Sequence, residues 1–119
     1  MDQTKLGAVV RRFYGLVRQD PDLGPIFNDA IGDWDHHLGL LTDFWSSIML
    51  TSGRYKGNPM AAHWKHADRL SPPLFERWLA LWEQTTSELL EPDEAAVIQS
   101  KARRIAVSLQ LGLQHRIAA

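Results

Sequence analysis

Apolar residues recur every three to four positions in four separate stretches of this chain, and no segment alternates apolar and polar residues between hairpin turns. Helical spacing buries one stripe of each element, whereas a half-buried strand needs a period of two. An all-helical fold is therefore expected. From Thr4 to about Arg18 the stripe is Leu6, Val9, Val10, Phe13, Tyr14 and Val17, and Asp20-Pro21 ends it. The stretch DLGPIFNDAIG carries Gly24-Pro25 and Gly32 and reads as turns or a short helix with Ile26 and Phe27 inward. Asp33 or Asp35 can cap a second long helix, whose stripe of Trp34, His37, Leu38, Leu41, Trp45 and Ile48 is widened by Leu40 and Phe44.

Thr51 to Pro59 reads as a loop, and Met60 to Asp68 holds two helical turns at most. Ser71 before Pro72 marks the next start, with the serine hydroxyl expected as the cap. That helix runs to about Leu90 behind Leu74, Phe75, Trp78, Leu79, Trp82, Thr85 and Leu89. Glu91-Pro92-Asp93 opens the last helix, with Ile98, Ala102, Ile105, Leu109 and Leu113 inward. A chain of 119 residues holds roughly one core, so residues 1–119 are expected to form a single domain. Helices so unequal in length suit steep crossings rather than an up-and-down bundle, and such crossings leave room for a pocket.

Composition narrows what that pocket does. Five Trp, four Phe and two Tyr in so short a chain suggest that something large and apolar is lined. The absence of cysteine excludes disulfides, thiolate metal sites and thiol nucleophiles. A formal net charge of -1 with scattered Lys and Arg argues against nucleic acid. No stretch approaches the roughly 20 apolar residues of a membrane span, and the opening MDQTKLGAVVRRFYG lacks the pattern of a secretory signal. Neither a membrane nor a nucleic acid is expected as partner, and the expected location is cytoplasmic. No GxSxG elbow, HExxH pattern or glycine-rich phosphate loop occurs, which leaves acyl transfer, zinc hydrolysis and nucleotide chemistry without an anchor.

The histidines remain. A haem iron needs one strong axial ligand, and a neutral imidazole on a short helix between loops supplies it. His63 has that setting. Tyr14, His37 and Trp78 each offer a hydrogen-bond donor for the other side of such a pocket. Residues of these types read alone are more often ordinary core or surface than parts of a site, although an imidazole on the apolar face at position 37 must find a partner. His63 and His66, three apart, also admit a zinc reading with His36, His37, Asp33 and Asp35, but with no spacing specific to it.

Four stretches resemble the group III truncated haemoglobins, short bacterial globins built as a two-over-two helical sandwich around a haem. They are FYGLVRQDPDLGPIFNDAIG from Phe13, DWDHHLGLLTDFW from Asp33, YKGNPMAAH from Tyr55 and LFERWLALWEQT from Leu74. The resemblance spans nearly the whole chain. It implies Tyr14 and His37 as distal residues, Trp78 as the distal tryptophan, Phe27 as the phenylalanine packed on the haem, and His63 as the iron ligand. Phe44, Trp45, Tyr55 and Trp82 are expected to complete the surround of a haem b. Helical spacing favours His37 over His36, and the tyrosine, glycine and proline before His63 favour it over His66. The leading helix of ordinary globins is expected to be shortened or missing.

The function so implied is reversible binding of dioxygen, nitric oxide or carbon monoxide. An alternative is a redox enzyme that detoxifies nitric oxide or peroxide and draws electrons from a separate reductase. A third reading is a haem-free helical interaction domain in which the tryptophans are ordinary core.

Overall fold

The computed structural model describes residues 1–118, apart from the side chains of residue 64 and residues 115–118. Six helices follow one another: α1 (Gln3–Gln19), α2 (Gly24–Ala30), α3 (Trp34–Leu50), α4 (Pro59–Trp64), α5 (Pro72–Leu89) and α6 (Pro92–Ala118). No strand occurs among the described residues. Three helix starts follow side-chain capping. Asp2 accepts from the Lys5 amide at 2.8 Å, Asp33 from His36 at 3.1 Å, and Asn58 from Ala61 at 3.1 Å. Of the two candidates for α3, Asp33 is thus the cap.

Ser71 departs from expectation: it occupies the cap position of α5 but its hydroxyl makes no capping bond. Pro72 and Pro73 fill the first two helical positions and carry no amide hydrogen. The first available donor, Leu74, is already held by the Ser71 carbonyl at 3.0 Å. Nothing is left for the hydroxyl to cap.

The helices form two crossed pairs. α1 packs on α3 and α5 on α6, while contact of α1 with α5 joins the pairs into a two-layered sandwich; α2 closes on α1 and α4 on α6. Leu6, Val9, Val10, Phe13 and Val17 of α1 are wholly buried, as are Trp45, Trp82, Ile98 and Ala102 or nearly so. A second, smaller cluster of Phe75, Ala106, Leu109 and Leu113 lies under α4. The junction of α1 and α2 is tight, because a side chain at Gly24 would meet the Arg18 carbonyl oxygen at 2.7 Å. Backbone cannot yield there as a flexible side chain can, and so α2 rests directly on the end of α1.

Asp20 fastens the same junction. Its buried carboxylate accepts from the amides of Asp22 and Leu23 at 3.1 and 3.0 Å and from Arg77 Nε at 2.7 Å, tying α5 to the turn. Burial alone would raise its pKa, but the Leu23 amide, the Arg77 guanidinium and the Asp22 amide together hold it below the ordinary 3.8. A depressed folded-state value contributes stability that is in place above the ordinary pKa and is lost as pH falls through the folded one. Asp20→Ala is expected to cost about 2 to 3 kcal/mol, since it orphans two amides as well as a cation. Arg77→Ala is expected to cost at most about 1 kcal/mol, because the Arg77 side chain is 47% exposed and solvent screens the pair. Urea unfolding at neutral pH measures both. The Asp20 variant is also expected to lose less stability than the parent below roughly pH 4.

Candidate functional site

Between the two layers lies a cavity of about 400 Å³, within the range of small-molecule and cofactor sites. Each element contributes to its wall, including Tyr14 from α1, Phe27 from α2, Phe44 from α3, His63 from α4, Trp78 from α5 and Leu109 from α6. Most of the lining is aliphatic or aromatic. The apolar face of α3 is therefore only half-buried: Leu41 and Phe44 turn onto the cavity, and Trp45 and Ser46 alone in that helix are fully buried.

His63 sits near the end of α4, a helix of six residues begun by the Asn58 cap and by Pro59 in its first turn. Its Nδ1 lies 2.7 Å from the Pro59 carbonyl oxygen. A carbonyl only accepts, so Nδ1 carries the proton and Nε2 keeps its lone pair. Burial lowers the pKa of the ring, the Pro59 bond works against that, and the neighbouring His66 adds to it. The outcome is a neutral imidazole with one free nitrogen on a ring that lines the cavity.

A second polar group gathers where α1, α3 and α5 meet. Tyr14 is 4% exposed. Its ring lies edge-on to Phe13 and to His37, with centroids 4.7 and 6.4 Å apart, and tilted against Phe27 at 5.8 Å and Trp34 at 5.9 Å. Burial pushes its hydroxyl pKa up to about 12, with the Trp78 indole acting the other way. It is thus a proton-bearing donor at any ordinary pH. His37 stands edge-on to Trp34 at 5.9 Å. Burial chiefly, with His36 and His63 adding to it, lowers its pKa below the ordinary 6.5 and keeps it neutral. Neighbouring His36 is exposed and lies off the cavity wall.

No protein-family model matches the chain. It is 36% identical over 118 residues to the group 3 truncated haemoglobin of Campylobacter jejuni, an alignment covering 92% of this chain and 89% of that protein. The crystal structure of a group III truncated haemoglobin from Campylobacter jejuni matches the fold with a TM-score of 0.84 at 36% identity, over 95% of this chain and 91% of that one. The chain belongs to the group III truncated haemoglobins. Its family implies a haem, and the residues of this globin fit one: an apolar slot of suitable volume, and a carbonyl-held imidazole whose second nitrogen is free.

Of the residues singled out in the sequence of this truncated haemoglobin, Tyr14, Phe27, His37, Phe44, Trp45, Tyr55, His63 and Trp78 all line the one cavity. Trp82 does not. It is wholly buried one layer behind the wall, stacked against Trp45 at 4.6 Å and Trp78 at 5.8 Å. The α5 residues on the wall, Leu74, Phe75 and Trp78, all lie in its first two turns, and four further residues carry position 82 about 6 Å along the helix axis beyond them. Trp82 therefore backs the pocket through its neighbours, and its Nε1 is buried without a partner among the described residues.

His66 also reaches the wall, but it is the His63 ring that a backbone carbonyl holds. Among the described residues no cluster of three or more His, Cys, Asp or Glu side chains could enclose a metal, which leaves the zinc reading without a site. Nor is any described helix long and apolar enough to cross a membrane. Lys65 at the cavity edge and the aliphatic wall of Ile26, Leu70, Ile105 and Leu109 were not singled out from sequence. Spacing marks Ile26, Ile105 and Leu109 only as inward-facing, which is equally true of core residues, and it gives no reading of Lys65 or Leu70.

Tyr55 is placed by its loop. Its amide donates to Ser47 Oγ at 3.0 Å, its ring packs edge-on to Phe44 at 5.2 Å, and Gly57 leaves the space that the ring fills.

Proposed function

We propose that this globin holds haem b through His63 and reversibly binds small diatomic gases. The observation that carries this reading is the 2.7 Å contact between His63 Nδ1 and the Pro59 carbonyl, which fixes the tautomer and leaves Nε2 free at an apolar cavity. When bound, the haem would supply a ferrous iron able to take up dioxygen, nitric oxide or carbon monoxide. Tyr14 and Trp78 then act as donors toward a partly anionic ligand, and His37 stands beside Tyr14 as a neutral imidazole. The surrounding apolar side chains keep bulk water from competing for those donors.

Titration of haemin into the haem-free chain tests the cofactor part. Trp45 and Trp78 line the cavity and Trp82 stacks on both, so tryptophan emission is expected to be quenched to an end point at one equivalent. Quenching without saturation near one equivalent speaks against a single built site.

The neutral His37 next to Tyr14 also favours a second reading, in which the pocket passes protons during detoxification of nitric oxide or peroxide and a separate reductase restores ferrous iron. Sustained consumption of nitric oxide with reductant present supports that reading, whereas uptake that stops at one equivalent supports simple binding.

A further inference from the structure

Glycine is less favourable than alanine inside a helix, yet Gly112 lies within α6. Any side chain at that position would share space with the thioether of Met60 from α4. Met60 packs in turn against the cluster formed by Phe75, Ala106, Leu109 and Leu113, which limits where its end can swing. α4 has only six residues, too few to be stable alone, and among the described residues α6 is the helix against which it chiefly packs. Met60 is one helical turn before His63 on the same six-residue helix, so a displacement that its packed side chain cannot absorb passes to the backbone that carries the imidazole.

We propose that the notch at Gly112 seats Met60 and so sets the depth of α4 and the aim of the His63 ring. Gly112 and Met60 are positioning residues, acting through His63, and the proposal rests on the assignment of His63 as the iron ligand. The helical cost of a glycine is accepted at position 112 because the close approach of α4 requires it.

The test uses the haem-loaded, reduced protein and reads the iron–histidine stretching band by resonance Raman. Gly112→Ala is expected to shift that band while the melting temperature changes little, the helical gain of alanine offsetting the displacement of Met60. In a Met60→Ala background the same substitution is expected to add no further shift, because no other atom lies closer to the new methyl than ordinary van der Waals contact. In the haem-free chain, the ¹⁵N resonance of His63 Nδ1, bonded to Pro59, is expected to move in Gly112→Ala as well. A band and a resonance that both stay put overturn the proposal, as does a shift of equal size with and without Met60.

Should Gly112→Ala fail to fold, Met60→Ala alone decides through the same two signals: a shift supports the seat, and no shift removes it. Failure of the His63 assignment looks different. In that case the unaltered protein shows no iron–histidine band, or one that survives His63→Gly.

Discussion

Replacement of His63 by glycine is expected to give a folded chain that no longer retains haem through a desalting column, and to which added imidazole restores it. Removing only a hydrogen-bond partner of a metal ligand costs about 10- to 100-fold in affinity, and loss of the ligand itself should exceed that. Free imidazole fits the space left by the missing ring and supplies the same nitrogen. The fold should tolerate the change, because His63 is half-buried and lies outside both core clusters, so unfolding of the haem-free chain should shift by no more than about 1 kcal/mol. His66→Ala is the matched control, expected to keep haem without added imidazole. Haem retained in His63→Gly but lost in His66→Ala would transfer the ligand role to His66.

Loss of the Tyr14 hydroxyl is expected to act on release rather than on cofactor retention. A hydrogen bond to a charged acceptor contributes about 1.5 to 3 kcal/mol, which corresponds to roughly tenfold to a hundredfold in a dissociation constant. Tyr14→Phe should therefore speed oxygen release by about that factor in stopped-flow mixing. Carbon monoxide, which draws less charge, should respond far less. Trp78→Phe should act in the same direction, and the double variant should fall short of the sum of the two, because the Trp78 indole also acts on the Tyr14 hydroxyl. With the Tyr14 pKa near 12, its contribution should not vary across the neutral range of pH. Equal effects on oxygen and carbon monoxide would point to altered packing around the ring instead of a lost donor.

Helical spacing made the fold legible where a helix buries a single stripe, and the residues read as stripes in α1 and α6 are largely the buried ones. α5 was only partly legible. It packs on α1 and on α6, so Leu81 and Thr86 are buried in addition to the single stripe, and the Thr85 and Thr86 hydroxyls turn back to carbonyls of their own helix at 2.8 and 2.7 Å. Ser46 shows the same limit in α3. A serine among apolar neighbours reads as surface, but its Oγ lies 2.7 Å from Ser52 Oγ and donates to the Asp43 carbonyl, which closes the helix end.

In the candidate site Tyr14, His37, His63 and Trp78 were legible singly as hydrogen-bonding groups in helices, but only the family resemblance grouped them, and it is the cavity wall that brings them together. The geometry of the site was less legible. Residues 78 and 82 fall on one stripe in the sequence, yet one lines the cavity and the other lies behind it. The contact that best distinguishes His63 from His66 is with a backbone carbonyl, and no side-chain pattern records that.

The central claim is tested most directly by the absorption spectrum of the purified protein, reduced with dithionite and then exposed to carbon monoxide. A strong haem band that shifts to a new position with the gas is the expected result, because a haem held through His63, as proposed, would leave its iron able to take up the gas. A protein that shows no haem band even after haemin is added, or a haem spectrum that carbon monoxide leaves unchanged, would contradict it.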